Sequence, residues 1–321
     1  MSQISYTYIG LDCTEHSNHY EDFSSTSYKI NTIAITWDGI VLVFTTLHPS
    51  NNKEISTLKS KYDNLIYFNF CQSESELLSN FINSFGKAIH SVCYWSSKKQ
   101  ANHIKARLES NGLSYPDNIL TLNYDTTLSY FEVIAGLKYS GFNIHQVSKF
   151  LSLSQLPRNT HNSSQEFNSD FVGYMSYVYE YCRLFEAIDN KLDLINSLYR
   201  ISEMANVPVD IVQSNIKVGH YMIADEYNKR GIRYVKNRKQ KGESYKGGFN
   251  IPPTHKTVRN ALVFDFKAAY INIQMAFKIS PENICLDDTV DNVIGCVNGS
   301  RFYRKENTVA EDIQNRFYKY R

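Results

Sequence analysis

The 321-residue chain is poor in proline (7) and tryptophan (2), and none of its six cysteines forms a Cys-x-x-Cys pair. Cys13, Cys71, Cys93, Cys182, Cys285 and Cys296 are scattered. That spacing excludes a disulfide framework and a thiolate zinc site, and it predicts reduced thiols in a cytosol-like compartment. Histidine offers no metal site either: His16 and His19 are the only close pair, and no partner spacing accompanies them. No apolar run reaches the roughly 18 residues that span a bilayer. The N-terminal residues lack the basic-then-apolar pattern of a secretion signal, so the expectation is a protein that is neither secreted nor in a membrane. Net charge is also scarce. A balance of +2 excludes a general polyanion-binding field, so any nucleic-acid site must be a local patch.

What is present is the composition of a globular protein, 42% hydrophobic and 21% charged, long enough for about two domains. Tyrosine (24) and phenylalanine (18) are abundant. This suits base stacking, although the plainer reading is ordinary core.

Strand-like runs cover residues 6–11, ending at Asp12, then 29–36 and 40–47. The last two flank Asp38-Gly39, a strong hairpin signal. Further strands are expected at 64–70, 90–94 and 118–123. Ser73-Glu74-Ser75-Glu76 opens a helix with acids in its first turn, and residues 97–110 form a basic amphipathic helix. The order is a three-stranded meander followed by alternating helix and strand. It predicts an α/β (α+β) fold, a mixed sheet with helices packed on it. Residues 154–168 read as a polar surface loop. Beyond them Phe171, Met175, Val178, Cys182 and Phe185 recur at helical spacing. Helices at about 191–204 and 209–229 follow.

The chemistry concentrates late in the chain. Lys229, Arg230, Arg233, Lys236, Arg238, Lys239 and Lys241 crowd together, interleaved with Tyr234, just before Tyr245-Lys246-Gly247-Gly248. Alone, such a run is a mobile surface loop or a groove tracking a nucleic-acid backbone. Paired glycines allow close backbone approach. An apolar run, 261–264, reads as a strand ending on Asp265, and a helix-like run follows through Ala269, Ile273, Ala276 and Phe277. A carboxylate at a strand end suits a catalytic metal. Its second reading is a helix N-cap.

The run Asp265-Phe266-Lys267-Ala268-Ala269-Tyr270-Ile271-Asn272, with Ile279-Ser280-Pro281 after it and Tyr245-Lys246-Gly247-Gly248 before it, resembles the start of the palm in family-B DNA polymerases. Their first palm motif reads Asp-x-x-Ser-Leu-Tyr-Pro-Ser. Ala268, Ala269, Ile271 and Asn272 depart from it. The resemblance implies that Asp265 and the carbonyl of Phe266 bind Mg²⁺. It implies that the amides of Lys267, Ala268, Ala269 and Tyr270 cradle a nucleoside triphosphate, and that Tyr270 packs under its sugar. It also implies that Tyr245 to Gly248, with Arg238 and Lys239, contact DNA.

The order of elements before residue 205 resembles the ribonuclease-H-like 3′–5′ exonuclease domain of the same polymerases. The carboxylates of a two-metal nuclease are mostly replaced. The first motif reads Asp12-Cys13-Thr14, with Thr14 in place of the second acid. Residues 95–108 hold no acid and carry Lys98, Lys99, Lys105 and Arg107 instead. In the third motif Tyr177 fits, but Tyr181 occupies the aspartate position. The resemblance thus implies an inactive nuclease remnant marked by Asp12 and Tyr177.

The expected organisation is an exonuclease-like domain over 1–205, then a linker helix, the basic segment and the beginning of a palm over 206–321. Residues 297–305 resemble a hairpin, and 311–321 a helix. No fingers motif and no second metal-binding aspartate motif is present in the sequence. The expected function is the N-terminal portion of a DNA-directed DNA polymerase of phage or viral type, in a cytoplasmic or host-cell replication compartment. Its expected partners are a DNA primer-template, deoxynucleoside triphosphates and a second polypeptide carrying fingers, remaining palm and thumb. The competing reading is a polymerase-derived scaffold that binds DNA or replication proteins without catalysis.

Overall fold

The computed structural model describes residues 6–13 as backbone, and 29–85, 91–95, 100–131, 144–153, 170–233, 252, 262, 264–265, 268–296, 299–305 and 307–319 in full. The chain divides into two compact units, Met1–Arg200 and Ile201–Arg321.

The first unit is built on strands β1 (Tyr6–Cys13), β2 (Ile30–Trp37), β3 (Ile40–Thr45), β4 (Ile66–Phe70), β5 (Ser91–Tyr94) and β6 (Leu120–Asn123). They form one six-stranded sheet in the order β4-β3-β2-β1-β5-β6. Only the pairings of β2, with β1 and with β3, are antiparallel; β3–β4, β1–β5 and β5–β6 are parallel. The β2–β3 hairpin turns on Asp38 and Gly39, both left-handed with φ of 46° and 84°. That is the turn whose twist matches the flanking strands, which is why Asp-Gly marks it in sequence.

The sheet is covered on both faces, so β2 and β3 are buried almost continuously instead of alternating. Ile33, Ile35 and Phe44 point to one side, where they meet Leu77, Leu78 and Phe81 of α2 (Glu74–Ser84) and Ile104 and Leu108 of α3 (Gln100–Ser110). Ala34, Val41 and Val43 point to the other. There they meet Leu58 of α1 (Asn52–Lys61) and Met175, Val178 and Cys182 of α6 (Phe171–Leu192). Helices α4 (Tyr124–Phe131) and α5 (Ile144–Phe150) lie between β6 and α6 in sequence, and α7 (Leu194–Ala205) follows α6.

Helix starts are chemically marked. Asn51 caps α1 by accepting the Lys53 amide at 3.0 Å. Ser73 caps α2 by accepting the Glu76 amide at 3.2 Å. Asp170 caps α6 through the Gly173 amide at 2.8 Å. Three further acids, the buried Glu186 and Asp189 and the half-buried Glu74, are also engaged. Glu74 accepts the Ile30 amide at 2.7 Å and the Arg107 guanidinium, whose Nε lies 2.8 Å from Oε1. Glu186 on α6 accepts the Gly39 amide at 3.0 Å and the Thr36 hydroxyl at 3.3 Å, and pairs with Arg183. Asp189 accepts the Tyr124 hydroxyl at 2.9 Å and the Leu194 amide at 3.1 Å, which caps α7.

The structure moves several expected boundaries. Helix α1 occupies a stretch with little apolar periodicity, because Leu58 is its only buried residue. Its presence makes β4 a parallel neighbour of β3. The helix expected at 97–110 is described from Gln100, and the one at 191–204 starts at Leu194, after Asp193 turns left-handed at φ 53°. The helix expected over 209–229 is a 3₁₀ turn, Val209–Ile211, and then α8 (Asn215–Lys229), restarted by Ser214 as N-cap. The second unit adds α9 (Ala269–Ala276), the antiparallel pair β7 (Val293–Gly295) and β8 (Arg301–Tyr303), and α10 (Val309–Lys319). The expected loop at 154–168 lies outside the described residues. No described helix is long and apolar enough to cross a membrane.

Burial alone would raise the Glu74 carboxyl. Arg107, the Ile30 amide and Asn111 outweigh it and hold the group below its ordinary value. Glu74→Ala removes the acceptor of the Ile30 amide and one carboxylate partner of Arg107 and is expected to cost the first unit about 1–3 kcal/mol. Trp37 and Trp95 both belong to that unit, so urea unfolding followed by tryptophan fluorescence reads it. Because the folded pKa is depressed, the contribution of Glu74 is present above the unfolded value of about 4.3. It is lost as pH falls through the folded value. Glu74→Gln removes that acid-side slope; an unchanged slope would contradict the assignment.

Candidate functional site

Leu262, Phe264 and Asp265 lie in no strand, contrary to the expectation for 261–264. Leu262 is 85% and Phe264 89% exposed. A strand needs a hydrogen-bonded neighbour to satisfy its amides and carbonyls, and none pairs with these residues among those described. Asp265 is exposed. Three residues on, Ala268 adopts the left-handed conformation (φ 53°, ψ 41°) and stands at the N-cap of α9 without a side-chain hydrogen bond. Asp265 is therefore not the cap of this helix, which removes the plain reading of its carboxylate. Ala268 has no side-chain acceptor for the first amides of α9. Such amides favour anions.

Helix α9 is built the wrong way round for a solvent-facing helix. Its sequence AYINIQMA is largely apolar, yet none of its residues is buried. Tyr270 is 91% exposed, and Ile273 and Phe277 lie on the same stripe, also exposed. Two hydrogen bonds join α9 to α10: Gln314 Nε2 donates to Gln274 Oε1 at 3.3 Å and Tyr318 Oη to Asn272 Oδ1 at 3.4 Å.

The segment after α9 forms a socket. Lys278 is left-handed at φ 53° and the Ile279 amide closes the helix on the Gln274 carbonyl at 2.9 Å. The Asn283 amide group then donates to the carbonyls of Lys278 at 2.9 Å and Tyr303 at 2.7 Å. Glu282 Oε1 accepts the Val309 amide at 2.8 Å. Its Oε2 accepts the Ser280 hydroxyl at 2.6 Å and the Tyr227 hydroxyl, from α8, at 3.0 Å. Ser280 Oγ in turn accepts the Ala310 amide at 3.3 Å. Thr308 and Glu311 complete the arrangement as a capping box: Glu311 takes the Thr308 amide at 2.9 Å, and Thr308 Oγ1 takes the Glu311 amide at 3.3 Å. Every otherwise unpaired amide at the start of α10 is thus satisfied. Burial would raise the Glu282 carboxyl, but Ser280, Val309 and Tyr227 outweigh it and keep the group below its ordinary value.

The structure brings Asp265, Ala268, Ala269 and Tyr270 together in one short stretch ending in the first turn of a helix. Phe266, Lys267, Tyr245, Lys246, Gly247, Gly248, Arg238 and Lys239 lie outside the described residues, as do Lys98 and Lys99. Asp12 pairs with Thr32 in the sheet, where the β1–β2 register shifts between Asp12 and Cys13. Tyr177 stands on α6 with its ring 6.2 Å from that of Tyr181. Among the described residues no three His, Cys, Asp or Glu side chains are grouped to hold a metal ion. Asp265 is a hard-oxygen donor of the right kind for Mg²⁺. One carboxylate does not make a two-metal site, so the described residues alone do not fit that pair of ions. Reasoning from sequence passed over Glu282 and Tyr227. The capping-box spacing Thr308-Val309-Ala310-Glu311 was the readable signal that an N-terminus is anchored here.

No protein-family profile matches the chain. Part of it is similar to a DNA polymerase of Archaeoglobus fulgidus, with 32% identity over 99 residues. The matched stretch covers 30% of this chain and 12% of the archaeal polymerase.

Thr308→Ala is expected to lower the stability of α10 by about 1 kcal/mol, the usual worth of an N-cap hydroxyl. Tyr270→Ser, at an exposed position, should change stability by less than about 0.5 kcal/mol. Amide hydrogen exchange across 269–319 measures both. A larger loss for Tyr270→Ser than for Thr308→Ala would contradict the exposure of α9.

Proposed function

We propose that this chain is the N-terminal portion of a family-B DNA-directed DNA polymerase, of phage or viral type, that contributes one half of a nucleotidyl-transfer site. The observation that carries the proposal is the Asp265–Tyr270 stretch, in which an exposed carboxylate precedes an uncapped helix start bearing an outward tyrosine. The partial likeness to a DNA polymerase supports it. Asp265 and the Phe266 carbonyl serve as ligands of Mg²⁺. The remaining carboxylates come from a second polypeptide with fingers, remaining palm and thumb. Mg²⁺ held by these ligands would supply charge neutralisation for phosphoryl transfer. The amides of Lys267 to Tyr270 receive the triphosphate, and Tyr270 lies under the sugar. Arg238, Lys239 and Tyr245 to Gly248 hold the DNA backbone electrostatically and by stacking.

The first unit serves as an exonuclease-like domain without nuclease activity. A mixed sheet whose second strand alone runs antiparallel supports a ribonuclease-H-like reading. The acids of the expected nuclease motifs are replaced at Thr14 and Tyr181. The same replacements favour a second reading, a polymerase-derived scaffold that holds DNA without catalysis.

Primer extension separates the two. This chain alone is expected to be inactive, and its mixture with the companion polypeptide active. Asp265→Ala should abolish extension by at least about 10³-fold, as loss of a metal ligand removes several kcal/mol of charge stabilisation. A mixture whose activity is indifferent to Asp265→Ala sinks the polymerase reading and leaves the scaffold. The nuclease test is separate. No Mg²⁺-dependent 3′–5′ degradation of single strands is expected, and Asp12→Ala should change nothing; degradation abolished by that substitution would show an active nuclease.

A further inference from the structure

Helix α9 has no buried residue, so it gains little from core packing, and its described side-chain hydrogen bonds to α10, at 3.3 and 3.4 Å, are long. Among the described residues, several contacts hold it at its C-terminal end. Lys278 pairs with Glu311, Asn283 grips the Lys278 carbonyl, and the chain enters the Ser280–Glu282 socket at once. Among the described residues, Glu282 is the side chain of this socket that reaches both neighbouring helices, Tyr227 of α8 and the Val309 amide of α10. Its charge lies against the start of α10, where a helix dipole favours an anion.

We propose that Glu282 is a positioning residue: by pinning the turn after α9 to α8 and α10, it sets the direction of α9 and so the place of Asp265 and Tyr270. The lever is short and stiff. Eight helical residues span about 12 Å, so a tilt of about 5° at the Glu282 end moves the other end by about 1 Å. A misplacement of that size costs about 10²-fold in a positioned reaction. The catalytic consequence rests on the polymerase reading above. The structural one does not.

The test compares Glu282→Ala, Glu282→Gln and Tyr227→Phe in the full chain. Hydrogen exchange should accelerate at the amides of Val309 and Ala310 and across 272–279. The expected factor for Glu282→Ala is roughly 10 to 100, the range for losing a hydrogen bond to a charged group. Tyr227→Phe, which deletes one hydroxyl, should give a smaller effect in the same amides. Tryptophan fluorescence should show the first unit unchanged. In primer extension with the companion polypeptide, Glu282→Ala should lower kcat about 10²-fold with the KM for primer-template nearly constant. Glu282→Gln, which keeps one acceptor oxygen, should recover part of it. Exchange confined to 309–310, with 272–279 unchanged, overturns the proposal. So does faster exchange with kcat unaltered. Should Glu282→Ala fail to fold, Tyr227→Phe and Glu282→Gln carry the same comparison. A wild-type mixture that extends no primer removes the polymerase reading and the catalytic half with it, while exchange still decides whether Glu282 positions α9.

Discussion

A carboxylate taken out of water costs several kcal/mol unless donors replace its hydration. That constraint organises both units of this chain. Glu74 joins α2 to the start of β2 and to α3. Glu186 joins α6 to the tip of the β2–β3 hairpin. Asp189 joins α4 and the start of α7 to α6. Glu282 joins α8 and α10 to the turn after α9. In each case at least one donor is a backbone amide, a group that must be paired wherever it is shielded from water. The acids of the fold are thus engaged in holding elements together.

Legibility followed the range of the interactions. The hairpin at Asp38-Gly39 and the helix opened by Ser73 are decided within a few residues, and both could be read directly. Helix α1 could not. Its single buried leucine leaves no periodic stripe, and its cap is one asparagine in a polar stretch. Leu262 and Phe264, within the strand expected at 261–264, lie in no strand for the complementary reason. The apolar pattern is real, but a strand exists only with a partner, and partnership is not a local property. The carboxylate joints were invisible because their donors lie far away in sequence, 44 residues from Ile30 to Glu74 and 147 from Gly39 to Glu186.

The candidate site shows the same division. The stretch Asp265 to Tyr270 was readable as a motif, and the structure adds that Ala268, not Asp265, occupies the N-cap. The inverted α9, with Tyr270, Ile273 and Phe277 turned outward, gives this part of the second unit an apolar surface of the sort that marks interaction sites.

The sheet order has a temporal consequence. The β2–β3 hairpin can close as soon as its turn has been made, whereas β1 pairs on its other side with β5, Tyr6 facing Ser91. At ribosomal rates of about 5–20 residues per second, that partner arrives on the order of 4–17 s after β1. For that interval the edge of β1 that will become the middle of the sheet is an open row of amides and carbonyls, available to any other strand. Holding that edge shut during synthesis is a demand this topology places on the cell, separate from any demand of the finished fold.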